Sequence, residues 1–126
     1  MKKLEKMLWE GIHGNDLKKV ALALNLGSNV DSEDKNVWSP LYEAAYRNNI
    51  ALVELLISAG ANVNAKDNSG YSPLHWADYV AIAKLLISVG ADVDSKNNGG
   101  DSPLAVAVSL SNKKMQTLLK QHGATV

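Results

Sequence analysis

Four short segments of one pattern recur along the chain: Gly27-Ser28-Asn29-Val30, Gly60-Ala61-Asn62-Val63, Gly90-Ala91-Asp92-Val93 and Gly123-Ala124-Thr125-Val126, at intervals of 33, 30 and 33 residues. Such a period marks a chain built from small units, none of which buries its apolar face alone, so stacking has to supply the core. A second marker keeps the same phase. Ser39-Pro40-Leu41, Ser72-Pro73-Leu74 and Ser102-Pro103-Leu104 precede a glycine marker by 21, 18 and 21 residues. One unit is therefore three residues short, and the gap falls after Ala77.

Each unit has readable physical content. Ser before Pro predicts a helix start, because the serine oxygen accepts an orphan backbone N–H and proline has its φ preset for the first turn. The apolar sets Ile50, Val53, Leu55, Leu56, Ile57 and Val80, Ile82, Leu85, Leu86, Ile87 recur at helical spacing and stop at Gly60 and Gly90, where a left-handed C-cap fits. The stretch from Asn64 to Gly70 carries turn chemistry and reads as a hairpin-like loop. The unit is helix, turn, helix, loop.

The chain resembles the ankyrin repeat in Ser-Pro-Leu-His-Trp-Ala at 72 to 77, in Leu-Leu-Ile-Ser-x-Gly-Ala at 55 to 61 and 85 to 91, and in Asp67-x-x-Gly70. The likeness runs from about Met7 to Val126 and is carried by several markers in one phase. It implies an all-α solenoid of stacked antiparallel helix pairs with projecting loops, the loops and first helices forming a concave face. The expectation is one domain with units near 6–38, 39–71, 72–101 and 102–126.

The outer units read as caps, and the array as complete. Lys113, Gln116 and Lys120 take the phases of Ile50, Val53 and Ile57, while Lys19 and Ala21 dilute the first unit and residues 1–6 are charged. Three departures stand out. Val37 replaces the loop glycine seen at Gly70 and Gly100, and a β-branched residue resists positive φ, so the first loop should be distorted. Trp9, Tyr42 and Ala105 stand where the third unit has His75, so any hydrogen-bond ladder through that histidine should be incomplete. The missing residues should shorten the third unit's first helix, leave Asp78-Tyr79 to make the turn, and open a notch beside Tyr46, Arg47, Ser109 and Leu110.

Composition excludes several functions. Of the 126 residues, 46% are hydrophobic and 21% charged, enough for a core. Thirteen basic residues balance thirteen acidic ones, which argues against nucleic-acid or membrane binding by bulk charge. No cysteine is present, so thiol nucleophiles and disulfides are excluded. Glu5, Lys6, Glu10 and His13 interrupt any apolar leader, and stretches such as Val20 to Leu24 are too short to span a bilayer; the expectation is a soluble, cytoplasmic monomer. His13, His75 and His122 fall in different units, so no metal site is expected, and no phosphate loop or cofactor motif is present. His75 and Asp78 could pass for a base and its orienting carboxylate, but the histidine belongs to the structural motif of the repeat, and catalysis is not expected.

What remains is surface. In ankyrin proteins the loops and the exposed end of the first helix usually contact partners. Those phases hold Trp38, Tyr71, Tyr46, Arg47, Lys35, Asn36, Lys66, Asn68, Ser69, Lys96 and Asp101, with Glu33 and Asn98 beside them. Trp, Tyr and Arg are the common interface anchors. Trp38 and Tyr71 share a phase in adjacent units and should lie side by side; either they anchor a partner or they pack across neighbouring loops. Trp76 reads as core or groove-edge packing. The resulting expectation is a non-catalytic module that binds a protein partner through its concave face, the alternative being a structural or regulatory subunit that uses its ends or convex helices.

Overall fold

The computed structural model describes residues 2–125; Met1, and Val126 at the end of the fourth marker, lie outside the described residues. Among these there are eight α-helices and no strand: α1 (Lys3–His13), α2 (Leu17–Asn25), α3 (Pro40–Tyr46), α4 (Ile50–Ser58), α5 (Pro73–Trp76), α6 (Val80–Ser88), α7 (Pro103–Ser109) and α8 (Lys113–Gln121). Three-residue turns join α1 to α2, α3 to α4, α5 to α6 and α7 to α8, which makes each pair an antiparallel hairpin. The first helices α1, α3, α5 and α7 pack in one row, and α4, α6 and α8 continue a second row beside it.

Local chemistry places these starts and stops. Ser39 Oγ accepts the Tyr42 N–H at 3.1 Å and Ser102 Oγ that of Ala105 at 3.1 Å, with Pro40 and Pro103 at the first helical position. The second helices begin on Asp16, Asn49 and Asn112, whose side chains cap α2, α4 and α8. At the other end the chain reverses at Gly60 (φ 88°), so that the Ala61 N–H reaches the Leu56 carbonyl at 3.1 Å. The core forms between the rows. Leu8, Leu41, Leu74 and Leu104, one from each first helix, are buried together with Val20, Val53, Leu56, Ile82, Leu86 and Leu119 of the second helices.

The third pair is shortened as the gap predicts: α5 has four residues against seven in α3 and α7. What it has lost is specific. The other three turns contain a left-handed residue, Asn15 (φ 52°), Asn48 (φ 57°) or Ser111 (φ 57°), followed by the capping Asx; the third turn has an extended Ala77 and begins α6 on Tyr79, whose side chain makes no cap. Neighbours compensate. Asn48 Oδ1 accepts the Asp78 N–H at 3.3 Å and Asn112 Nδ2 donates to the Asp78 carbonyl at 3.2 Å. The short helix α5 accordingly packs chiefly on α3 and α7.

The expected distortion at Val37 does not occur. Val37 adopts φ 61° and its N–H still reaches the Asp34 carbonyl at 3.0 Å, as the Gly70 N–H reaches that of Asp67 at 3.1 Å. Flanking bonds hold it there: Asp34 Oδ1 accepts the N–H groups of Asn36 (2.8 Å) and Trp38 (3.0 Å). The loop keeps its shape and the backbone carries the strain.

At the ends, Gln116 is half-buried and donates to the Ala107 carbonyl at 3.3 Å, and Lys120 is exposed. Lys113 replaces nothing buried, because Ile50 at its phase is itself 41% exposed. A regular ladder crosses the units. Asp31 Oδ1 accepts the Asn62 N–H (2.9 Å), Asn64 Oδ1 that of Asp92 (2.8 Å) and Asp94 Oδ1 that of Thr125 (3.1 Å). At the first unit Glu5 takes the same role, accepting the Asn29 N–H at 3.0 Å and the Ser28 hydroxyl at 3.1 Å; the backbone bond from Asn29, more than any other cause, holds its carboxyl below the usual value.

Candidate protein-binding face

Three loops of one construction present the face. In each, an Asx oxygen accepts the N–H two and four residues on: Asp34 from Asn36 and Trp38, Asp67 from Ser69 (2.8 Å) and Tyr71 (3.0 Å), Asn97 from Gly99 (2.9 Å) and Asp101 (2.9 Å). Trp38, Tyr71 and Asp101 therefore hang from equivalent, fixed backbone positions.

Trp38 and Tyr71 do not lie against each other. Trp38 contacts Tyr46 (centroids 5.1 Å apart), Tyr46 meets Trp76 edge-on (5.6 Å), and Trp76 stacks against Tyr71 (4.8 Å, 37°). Tyr46 and Trp76 come between the pair because both project from the first helices into the space separating adjacent loops. The result is a four-ring row in which Trp38, Tyr71 and Trp76 are half-buried and Tyr46 is 49% exposed.

The row rests on Tyr42, which is buried at the start of α3 with its ring 4.7 Å from that of Trp38. The Tyr42 hydroxyl donates to Asp67 Oδ2 at 2.6 Å and accepts the Trp76 indole N–H at 2.5 Å. Burial pushes the phenol well above its ordinary pKa, and the Asp67 carboxylate adds to the rise. One hydroxyl thus fixes a ring of the row and a loop carboxylate together.

The remaining surface residues divide into separate groups. Arg47 turns away from the row: its Nε pairs with the buried Glu43 at 2.7 Å and its Nη2 lies 3.2 Å from His13 Nδ1, joining the second unit to the first. Lys66, Asn68, Ser69 and Lys96 tie the last two loops together, through Lys66 Nζ to the Lys96 carbonyl (3.2 Å), Asn98 Nδ2 to the Asn68 carbonyl (3.1 Å) and the Asn98 N–H to the Ser69 carbonyl (2.9 Å). Lys35 and Asn36 are exposed at the first loop's tip, where Lys35 borders a shallow polar depression with Glu33 and Lys2.

The notch opens on one side only. It lies between α5 and α7 beside Ser109 and Leu110, as expected, but Tyr46, which meets Trp76 edge-on, does not line it and Arg47 points elsewhere. His75 and Asp78 form no dyad. The Ser72 N–H donates to His75 Nδ1 at 3.0 Å, so the proton sits on Nε2, which donates to the Asp101 carbonyl at 2.9 Å; both ring nitrogens are engaged and Asp78 is exposed. Burial holds the imidazole below its ordinary pKa. Trp76 stands half-buried at the groove edge, one of its two expected placements, but sequence reasoning missed Tyr42, whose hydroxyl holds it. The signal was a hydroxyl-bearing ring, Tyr42, in the histidine's place one unit before Trp76.

A family model described as ankyrin repeats (3 copies) matches residues 8–97, and the chain belongs to the ankyrin-repeat family. Ankyrin repeats serve in general as protein–protein interaction modules. The fourth pair, beyond the matched segment, keeps the Ser-Pro start and the glycine turn. Among curated proteins nothing matches the chain. Among the described residues no helix is long and apolar enough to cross a membrane.

Proposed function

We propose that the chain binds a protein partner through its loop and first-helix face, without catalysing a reaction, and that the row Trp38, Tyr46, Trp76 and Tyr71 is the energetic centre. The observation that carries this reading is the row itself: four rings in unbroken contact, half-exposed on a face whose neighbouring loops are polar. Such rings supply large contact area, and because Tyr42 and the Asx loops already hold them, they lose little freedom on binding. Lys35, Asn36, Lys66, Asn68, Ser69, Lys96 and Asp101 form the polar rim, and Arg47 braces the scaffold beneath.

The test is affinity capture from source lysate with the wild-type chain, a Trp38→Ala/Tyr71→Ala variant, a milder Tyr46→Ser variant, and a control carrying Glu54→Ala and Lys84→Ala on the exposed second-helix surface. The aromatic variants should weaken a captured partner by about 2–4 kcal/mol while the control retains it. Circular dichroism establishes that each variant folds. A partner kept by the aromatic variants and lost by the control would place binding on the second helices and overturn the reading.

A further inference from the structure

The short α5 leaves a groove of about 270 Å³ against α7, and this groove continues the aromatic row. Tyr71 and Trp76 contribute rings from one side, Val106 and Leu110 contribute aliphatic surface from α7, and Asp101 stands at the loop before α7. The volume is below the roughly 300–1,000 Å³ of sites that enclose a whole small molecule, and suits one long side chain.

The rings are pinned. The Trp76 indole N–H is held by the Tyr42 hydroxyl, and Tyr71 stacks on Trp76 while meeting His75 edge-on at 5.3 Å. Asp101 is pinned through its backbone: Asn97 Oδ1 takes its N–H and His75 Nε2–H binds its carbonyl, both at 2.9 Å. Its carboxylate, in contrast, has no hydrogen bond or ion pair among the described residues. The other nearby charges are committed, since Asp67 is taken by Tyr42 and its own loop and the Lys66 ammonium by the Lys96 carbonyl. One carboxylate without a hydrogen bond or ion pair among the described residues therefore stands beside two fixed π-faces.

We infer that this groove is the specificity subsite of the proposed partner-binding face, and that it receives one arginine side chain of the partner. This rests on the reading that the face binds a protein. The guanidinium stacks on Trp76 and Tyr71 and pairs with Asp101, while its methylenes lie along Val106 and Leu110. An apolar occupant would strip water from the carboxylate and give nothing back. A lysine supplies the charge but is strongly hydrated and lacks the planar fork that matches a ring and a carboxylate at once.

The test uses the full chain and four blocked tripeptides, acetyl-Gly-X-Gly-amide with X as arginine, lysine, citrulline or leucine, titrated against its ¹H–¹⁵N and aromatic NMR spectra. The arginine peptide should give saturable shifts at Trp76 and Tyr71, the citrulline and leucine peptides none. Asp101→Asn, at an exposed position, should leave the spectrum of the folded chain intact and weaken arginine binding about fivefold or more. Absence of a Trp76 shift at the peptide's solubility limit, equal binding of citrulline or leucine, or an unchanged affinity in Asp101→Asn would overturn the subsite. Equal binding of lysine would overturn its guanidinium selectivity. A captured partner lost with Trp38→Ala/Tyr71→Ala but retained with Asp101→Asn would also overturn the subsite and leave the wider face standing.

Discussion

His75 of the third unit donates its Nε2–H to the carbonyl oxygen of Asp101 at 2.9 Å, linking the start of α5 to the loop before α7. The same position in the second unit is Tyr42, whose hydroxyl reaches Asp67, and in the first unit Trp9, whose indole N–H reaches the Ser32 hydroxyl at 3.2 Å. Three different side chains each donate toward the next loop, to a backbone carbonyl, a carboxylate and a hydroxyl in turn. Each stands in the first turn of its helix or on the equivalent turn of α1, directly below the next loop, so any long side chain with a donor at the right reach closes the gap. Over the first three units the position is bonded to the next loop although histidine supplies only one rung, and Ala105 of the fourth unit has no side-chain donor to supply another.

The burial of His75 makes stability depend on pH. Burial keeps the His75 imidazole below its ordinary value near 6.5, against the opposing pull of the Asp101 carbonyl. As pH falls through about 6.5 the unfolded chain binds the proton first, so stability from the neutral ring is complete above that value and declines below it. Urea midpoints should fall between about pH 7.5 and 5.5, and His75→Asn should flatten this slope while costing about 1–3 kcal/mol at the upper value. An unaltered slope in the variant would assign the dependence to other groups.

Tyr42→Phe removes one oxygen and leaves two groups without a partner, the Trp76 indole N–H and one oxygen of Asp67. Loss of about 1–3 kcal/mol is expected in urea unfolding, because desolvated groups are stranded. A cost below about 0.5 kcal/mol would mean that water replaces the hydroxyl.

Val37 and Gly70 occupy the same loop position with φ 61° and 82°, yet substitutions there should act in opposite directions. Val37→Gly relieves a β-branched residue in the left-handed region and should stabilise by about 1 kcal/mol. Gly70→Ala should destabilise by more than about 1 kcal/mol, since its Cβ would lie 2.7 Å from Asn98 Oδ1 and 2.9 Å from the Asn98 nitrogen. Thermal melts of the two variants decide this directly.

Tyr79 begins α6 without capping it and is 59% exposed, whereas Asp16, Asn49 and Asn112 cap the other second helices. Tyr79→Asp should therefore raise stability by about 1 kcal/mol, read as a higher urea midpoint. A decrease would show that the tyrosine ring contributes packing its exposure does not reveal.

The repeat, the helix pairs and the short third unit were legible in the residues alone, because Ser-Pro starts and left-handed glycines act within a few residues of chain. So was most of the exposed face, since loop positions follow from the period. Which residues touch was set by the packing of one unit on the next. Trp76 came between Trp38 and Tyr71, Arg47 turned to Glu43, and the notch opened on the α7 side alone, because these outcomes depend on how side chains from neighbouring units share space. Val37 shows the same division: its local preference is against positive φ, and the bonds around Asp34 override it. Spacing fixes where a residue stands along the stack, and contact between units fixes what it meets there.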